Sequence, residues 1–126
     1  MKPFAAFAVF FVFALVIAHS CKKEYSCEAC RETNKPPIAN AGRDTVISFP
    51  SDAVLLDGSA SIDPDGSIVS YKWSKISGPS TPLLYQPGQS KSSVYLLVAG
   101  VYQFALTVMD NGGLSSNDTT VITANE

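Results

Sequence analysis

The stretch from Val54 to Trp73, VLLDGSASIDPDGSIVSYKW, constrains the fold more than any other part of the chain. Apolar residues alternate at Val54/Leu56 and again at Val69/Tyr71/Trp73, and between them lies a run of Asp, Ser, Gly and Pro that can bond its own backbone and turn tightly. The pattern predicts a strand, a long polar turn and a second strand. Trp73 is the only tryptophan. A lone indole gains most of its hydrophobic free energy only when buried, so the remaining strands are expected to pack around it.

Further alternating runs continue the theme. Ile38-Ala39 with Asp44 to Ser48 reads as a broken first strand, Ala53 to Leu56 as the second and Ile68 to Ser77 as the third, closed by Gly78-Pro79. Ser80 to Ser90 is a Pro/Ser/Gly loop holding one short edge strand around Leu83-Leu84-Tyr85. Ser92 to Val98, Val101 to Met109 and Thr119 to Thr123 follow, and no stretch carries a useful helical period. About seven strands at near-regular spacing predict an all-β, immunoglobulin-like antiparallel β-sandwich. Alternation places Tyr102, Phe104, Leu106 and Val108 on one inner face and Val69, Tyr71 and Trp73 on another, with Val54, Leu56, Val94, Leu96 and Val121 completing the core. Tyr102, two residues after Gly100, is expected to be a corner tyrosine whose hydroxyl bonds a nearby backbone group. Tyr85 and Tyr95 are not claimed by the core pattern, and they are the aromatics available for an exposed binding face.

The first residues are a different material. Lys2 precedes an almost unbroken apolar run from Phe4 to Ala18, of the length of a secretory h-region and short for a bilayer span. Residues 1–20 are therefore expected to be a signal peptide, residues 21–35 a tether and residues 36–126 the domain. Ala18-His19-Ser20-Cys21 fits two cleavages: a lipobox, with Cys21 acylated, or an ordinary small-residue site with release of soluble protein. Cysteine parity favours the first. Of three cysteines, lipidation of Cys21 leaves Cys27 and Cys30 as an even pair. The CxxC spacing of that pair suits a local disulfide in the tether, with reduced or intermolecular thiols as the alternative. On this reading the protein is a bacterial lipoprotein, lipid-anchored to the outer membrane on its periplasmic or surface-exposed face.

Composition removes several chemistries. The single histidine, His19, leaves with the signal peptide, and with it go Ser-His-Asp and Cys-His catalysis and histidine-ligated zinc. Nine basic and eleven acidic side chains are spread along the chain, so there is no electrostatic footprint for nucleic acid. Asp63-Pro64-Asp65-Gly66, with Asp57 upstream and Asp110 on another loop, is the one acidic cluster. Such carboxylates form Asx-type turns; alternatively Asp57, Asp63, Asp65 and Asp110 converge on a structural Ca²⁺, which takes about six to eight oxygens. No other cofactor is expected. A glycosidase reading of the same carboxylates is weaker, because turns on a small sandwich supply neither a cleft nor a raised pKa.

Three ordered segments, PPIANAG (Pro36 to Gly42), LDGSASIDPDGSIVSYKW (Leu56 to Trp73) and AGVYQFALTVMDNGG (Ala99 to Gly113), resemble a PKD (polycystic kidney disease-type) domain. The chain departs from many members after Trp73, where SKISGP replaces a Phe-Gly-Asp-Gly turn. The resemblance implies a non-enzymatic extracytoplasmic module acting as a spacer or as a protein or carbohydrate contact (adhesion) domain, the alternative being a carbohydrate-binding module of a polysaccharide-degrading system. Its expected partners are the membrane, through the lipid, and a protein or polysaccharide. Fold alone does not supply the function.

Overall fold

Residues 33–48, 53–95 and 98–126 are described by the computed structural model. Cys21, Cys27, Cys30, the leader and most of the tether lie outside the described residues, as does Leu96. Seven strands follow one another: β1 (Thr45–Ser48), β2 (Val54–Asp57), β3 (Ile68–Ser77), β4 (Leu83–Tyr85), β5 (Lys91–Tyr95), β6 (Gly100–Asp110) and β7 (Ser115–Asn125). They form two sheets, ordered β1-β7-β6-β3 and β2-β5-β4. The expected immunoglobulin-like sandwich is therefore the fold, and β3 begins and ends where the sequence places it. All strand pairs are antiparallel except β1 with β7, which run parallel with Thr45 opposite Ile122. Polar side chains pin that pair: Val121 NH donates to Asp44 Oδ1 at 2.9 Å, and Thr120 Oγ1 donates to the Arg43 carbonyl at 3.1 Å.

The core sits where alternation on β6 aims it. Tyr102, Phe104, Leu106 and Val108 are fully buried, and Trp73 lies opposite Leu106 on β3 with 3% of its surface exposed. Val54, Leu56 and Val94 close it from the smaller sheet. Two expected members are not there. Val69 is 59% exposed, because the β3–β6 register slips between Ile68 and Ser70; the extra residue of this bulge turns Val69 outward and leaves Ile68 packed against the core. Val121 faces outward as well. Its place is taken by Ile122, which is opposite Tyr102 and 1% exposed. In the adjacent pair Val121-Ile122 both phases of alternation look apolar, and only the pairing with β6 decides between them.

Tyr102 makes the corner expected of it. Its hydroxyl donates to the Val98 carbonyl at 2.9 Å and lies 2.7 Å from Ser80 Oγ. The ring leaves no room for a side chain at Gly78 (φ +148°), where a Cβ would collide with Tyr102 Cδ1. The Ser-Gly-Pro turn after β3 is thus shaped by the tyrosine it covers.

Candidate functional site

The acidic residues come first, because four of them are the candidate cation ligands. Asp57, the last residue of β2, accepts the Ser59 NH at 3.0 Å and the Ser59 hydroxyl on Oδ1, while its Oδ2 lies 3.1 Å from Lys91 Nζ. The Ser59 hydroxyl and NH, helped by Lys91, hold its carboxyl below the usual aspartate range. Asp63 Oδ1 accepts the Asp65 NH at 3.3 Å, and Asp65 Oδ2 accepts the Lys35 NH at 2.9 Å. Asp110 is buried and works as the hub of the β6–β7 turn: Gly112 NH and Leu114 NH each reach its Oδ1 at 2.8 Å, and the Asn34 amide reaches Oδ2 at 2.9 Å. Burial alone raises its pKa, but the bonds from Leu114, Asn34 and Gly112 outweigh it and the carboxyl ends below its ordinary value.

These aspartates therefore have local duties, as turn caps and as ties to the incoming chain. Among the described residues no group of three or more His, Cys, Asp or Glu side chains is placed to hold a metal ion. One shallow cleft of about 200 Å³ opens between the sheets, lined by Ala41, Arg43, Leu55, Asp57, Thr120 and Ile122 among others. It brings no pair of carboxylates together.

Asn34 and Lys35 mark where the chain enters the domain, and both are bonded to loops at the Asp110 end of β6. The chain then runs along β7 toward the other end. Ala41 NH donates to Asp118 Oδ2 at 2.7 Å, and at the far end Ser48 is opposite Asn125. Because Gly100 pairs with Ala124, β7 leaves the domain beside the first residue of β6. Entry and exit are at opposite poles.

The outer faces of the two sheets differ in chemistry. On the smaller sheet Leu83 is opposite Tyr95 and Tyr85 opposite Ser93, while Leu55 is opposite Ser93 from the other side. Residues paired in this way share a face. Tyr85 and Tyr95, singled out from the sequence, are therefore diagonal neighbours on one exposed surface, 58% and 40% open, and Leu55 and Leu83 flank them at 57% and 64%. The leucines escaped sequence reading for a definable reason. In Leu83-Leu84-Tyr85 every position is apolar, so alternation cannot say which residue points out; in Val54-Leu55-Leu56 the inward phase turns Leu55 outward but leaves it a lone exposed leucine, and that the two leucines share a face becomes visible only with the register.

Comparison with known proteins sets this arrangement in a family. Residues 41–124 match the family model described as the K319L-like PKD domain. Human dyslexia-associated protein KIAA0319 is 42% identical over 91 residues, which are 72% of this chain and 8% of that protein. Human low-density lipoprotein receptor-related protein 11 is 37% identical over 93 residues, covering 74% of this chain and 18% of its own length. The chain thus spans less than a fifth of either relative. Among solved structures, the solution structure of the PKD domain from KIAA 1837 superposes with a TM-score of 0.65 at 36% identity, covering 75% of this chain and 91% of that one. The relatives overturn the expected setting. They are mammalian proteins, so the assignment to a bacterial envelope lipoprotein, with a lipid on Cys21 as its membrane partner and the outer membrane as its address, is withdrawn. That assignment rested on the leader, on Ala18 to Cys21 and on the parity of three cysteines, none of which speaks to the source of the domain that follows. The shared fold is that of non-catalytic PKD and immunoglobulin-like modules. On a family match that takes in six strands and all but the last residue of β7, the chain belongs to the K319L-like PKD domain family.

Proposed function

We propose that this module is a rigid spacer that carries a contact face on the outside of its smaller sheet. The family is one of non-catalytic adhesion and protein-interaction modules, and this chain is one of them. The spacer reading goes further, and one observation carries it: the entering segment is tied to the Asp110 end of β6, whereas β7 leaves at the Gly100 end. Eleven residues of β6 separate the two points. At about 3.4 Å per residue a strand of that length spans roughly 35 Å. A chain joined through such a domain is held extended by the sheet itself, and a pair of termini on one pole would not do this.

Spin labels introduced by bioorthogonal chemistry at Lys35 and Glu126 test it. The expected result is one narrow distance distribution centred near that length, broadened in Asn34→Ala because the amide no longer ties the entry to Asp110. A broad or short distribution in the parent protein refutes the spacer.

A further inference from the structure

We propose that Asn117 is the acceptor of an N-linked oligosaccharide, carried on the outer face of the four-stranded sheet. Among the chain's five asparagines, only Asn117 stands two residues before a Ser or Thr with no proline between, in Asn117-Asp118-Thr119. Such a triplet is frequent by chance, and the fold is what singles this one out. Three of the other asparagines spend their amides on structure: Asn34 donates to Asp110 at 2.9 Å, Asn40 accepts the Gly42 NH at 2.9 Å, and Asn111 accepts the Ser67 NH at 3.3 Å. Asn117 is placed differently. It lies inside β7, opposite Thr107 and exposed to solvent. Asn is a poor strand former, and a β-branched residue would fill an exposed strand position better, so the demands of the sheet do not account for it.

Alternation sorts the triplet's side chains. Asp118 turns to the entering segment, where its Oδ2 accepts the Ala41 NH at 2.7 Å, while Asn117 and Thr119 share the outer face and are both exposed. The folded domain must then leave room for a branch. On that face the neighbours of Asn117 are Ser115 and Thr119 along β7 and Thr107 and Ala105 on β6, all small, with Met109 the one larger side chain. On its other side β7 is unpaired at this level, because β1 meets only Ile122 to Asn125. A bulky, hydrated sugar branch fits there without covering an apolar cluster, and the outer face of the smaller sheet stays clear.

The transfer balances without a redox partner. Asn117 Nδ2 displaces a polyisoprenyl pyrophosphate from the anomeric carbon of the oligosaccharide it carries: a C–N bond forms, the C–O bond to the pyrophosphate breaks, and the amide proton leaves to a base of the transferase. Donor and transferase belong to a secretory compartment. The inference therefore rests on residues 1–20 acting as a signal peptide, and it is independent of what the contact face binds.

The test translates the full chain, leader included, in the presence of endoplasmic-reticulum microsomes. Protease-protected product should carry a single mass increment that peptide N-glycosidase removes, with Asn117 deamidated in the peptide mass spectrum afterwards. Asn117→Gln and Thr119→Ala should each lose the increment completely, whereas Thr119→Ser should keep it. Because the position is exposed, Asn117→Gln should move Tm by no more than about a degree or two. Unmodified product inside the vesicles, an increment that survives in Asn117→Gln, or a Tm that collapses in that variant overturns the inference. Product left outside the vesicles and open to protease overturns it as well, and places the failure in the leader instead of at Asn117.

Discussion

The two outer faces of this sandwich were built under the same rule, alternation on a pleated strand, and came out differently. On the four-stranded sheet the outward rows are small and polar: Ser74 opposite Ala105, Lys72 opposite Thr107, Thr107 opposite Asn117, Ala105 opposite Thr119. Its apolar exceptions are spread along it, with Val46 and Val101 on either side of Thr123 near one end, Met109 near the other, and Val69 and Ile76 at the two irregularities of β3. On the three-stranded sheet the outward residues are Leu, Leu, Tyr and Tyr in adjacent register. Scattered exposed apolar residues are ordinary on any protein, whereas a contiguous group is not. The difference teaches that one rule of alternation buries an inner face on both sheets yet leaves the larger a mostly polar outside and the smaller an apolar one, the face proposed here for contact.

The sharpest way to break that division is to compare an inward with an outward residue. Trp73→Ala should cost on the order of 3–5 kcal/mol, since it removes a buried indole opposite Leu106 and leaves a cavity that close packing cannot fill. That is comparable to the whole stability of a small domain, so a cooperative melt should be lost. Leu83→Ser on the outer face should move stability by no more than about 0.5 kcal/mol. Urea titrations of both variants give the comparison directly. Similar midpoints would mean that the inner face is not where this fold keeps its stability.

How much of this was legible in the sequence depends on how each residue is fixed. The β6 core, Tyr102 to Val108, alternates cleanly and was readable, as were β3 and the corner at Tyr102. Val69 was not, because a bulge costs nothing in sequence pattern and shows only as a slip against Asp110 and Met109. The start of β7 was missed for a related reason: Ser115, Ser116, Asn117 and Asp118 are poor strand formers, and they are strand here because Met109 to Leu106 offer them a ladder. Of the candidate site, Tyr85 and Tyr95 were recognisable as uncommitted aromatics, but their adjacency depends on β4 and β5 pairing. The setting of the protein was misread because a local cleavage pattern says little about the source of the domain that follows.

A smaller effect sharpens the inner side. Tyr102→Phe keeps the ring that packs under Gly78 and removes the hydroxyl bonded to the Val98 carbonyl and to Ser80 Oγ. Loss of a buried hydroxyl in this way should cost about 1–2 kcal/mol, less than the tryptophan and more than any outward residue. For a domain of this size that lowers Tm by several degrees. Calorimetry of the variant showing an unchanged Tm would mean that the corner is held by packing alone.

The smallest effect belongs to the outer face, where Lys91 and Asp57 form an ion pair between side chains that are 56% and 41% exposed. Solvent screens such a pair, so Lys91→Ala should change stability at neutral pH by about 0.5 kcal/mol or less. Its pH dependence is more telling. Asp57 has its folded pKa depressed, so the stability linked to it is present above the ordinary aspartate value and is lost as pH falls through the lower, folded one. The Ser59 hydroxyl is the largest cause of that depression and Lys91 a lesser one. An NMR titration of the Asp57 carboxyl should therefore show its midpoint rising further in Ser59→Ala than in Lys91→Ala. The reverse order would make the ion pair the principal partner of Asp57. The stability lost at low pH would then disappear with Lys91 and survive in Ser59→Ala.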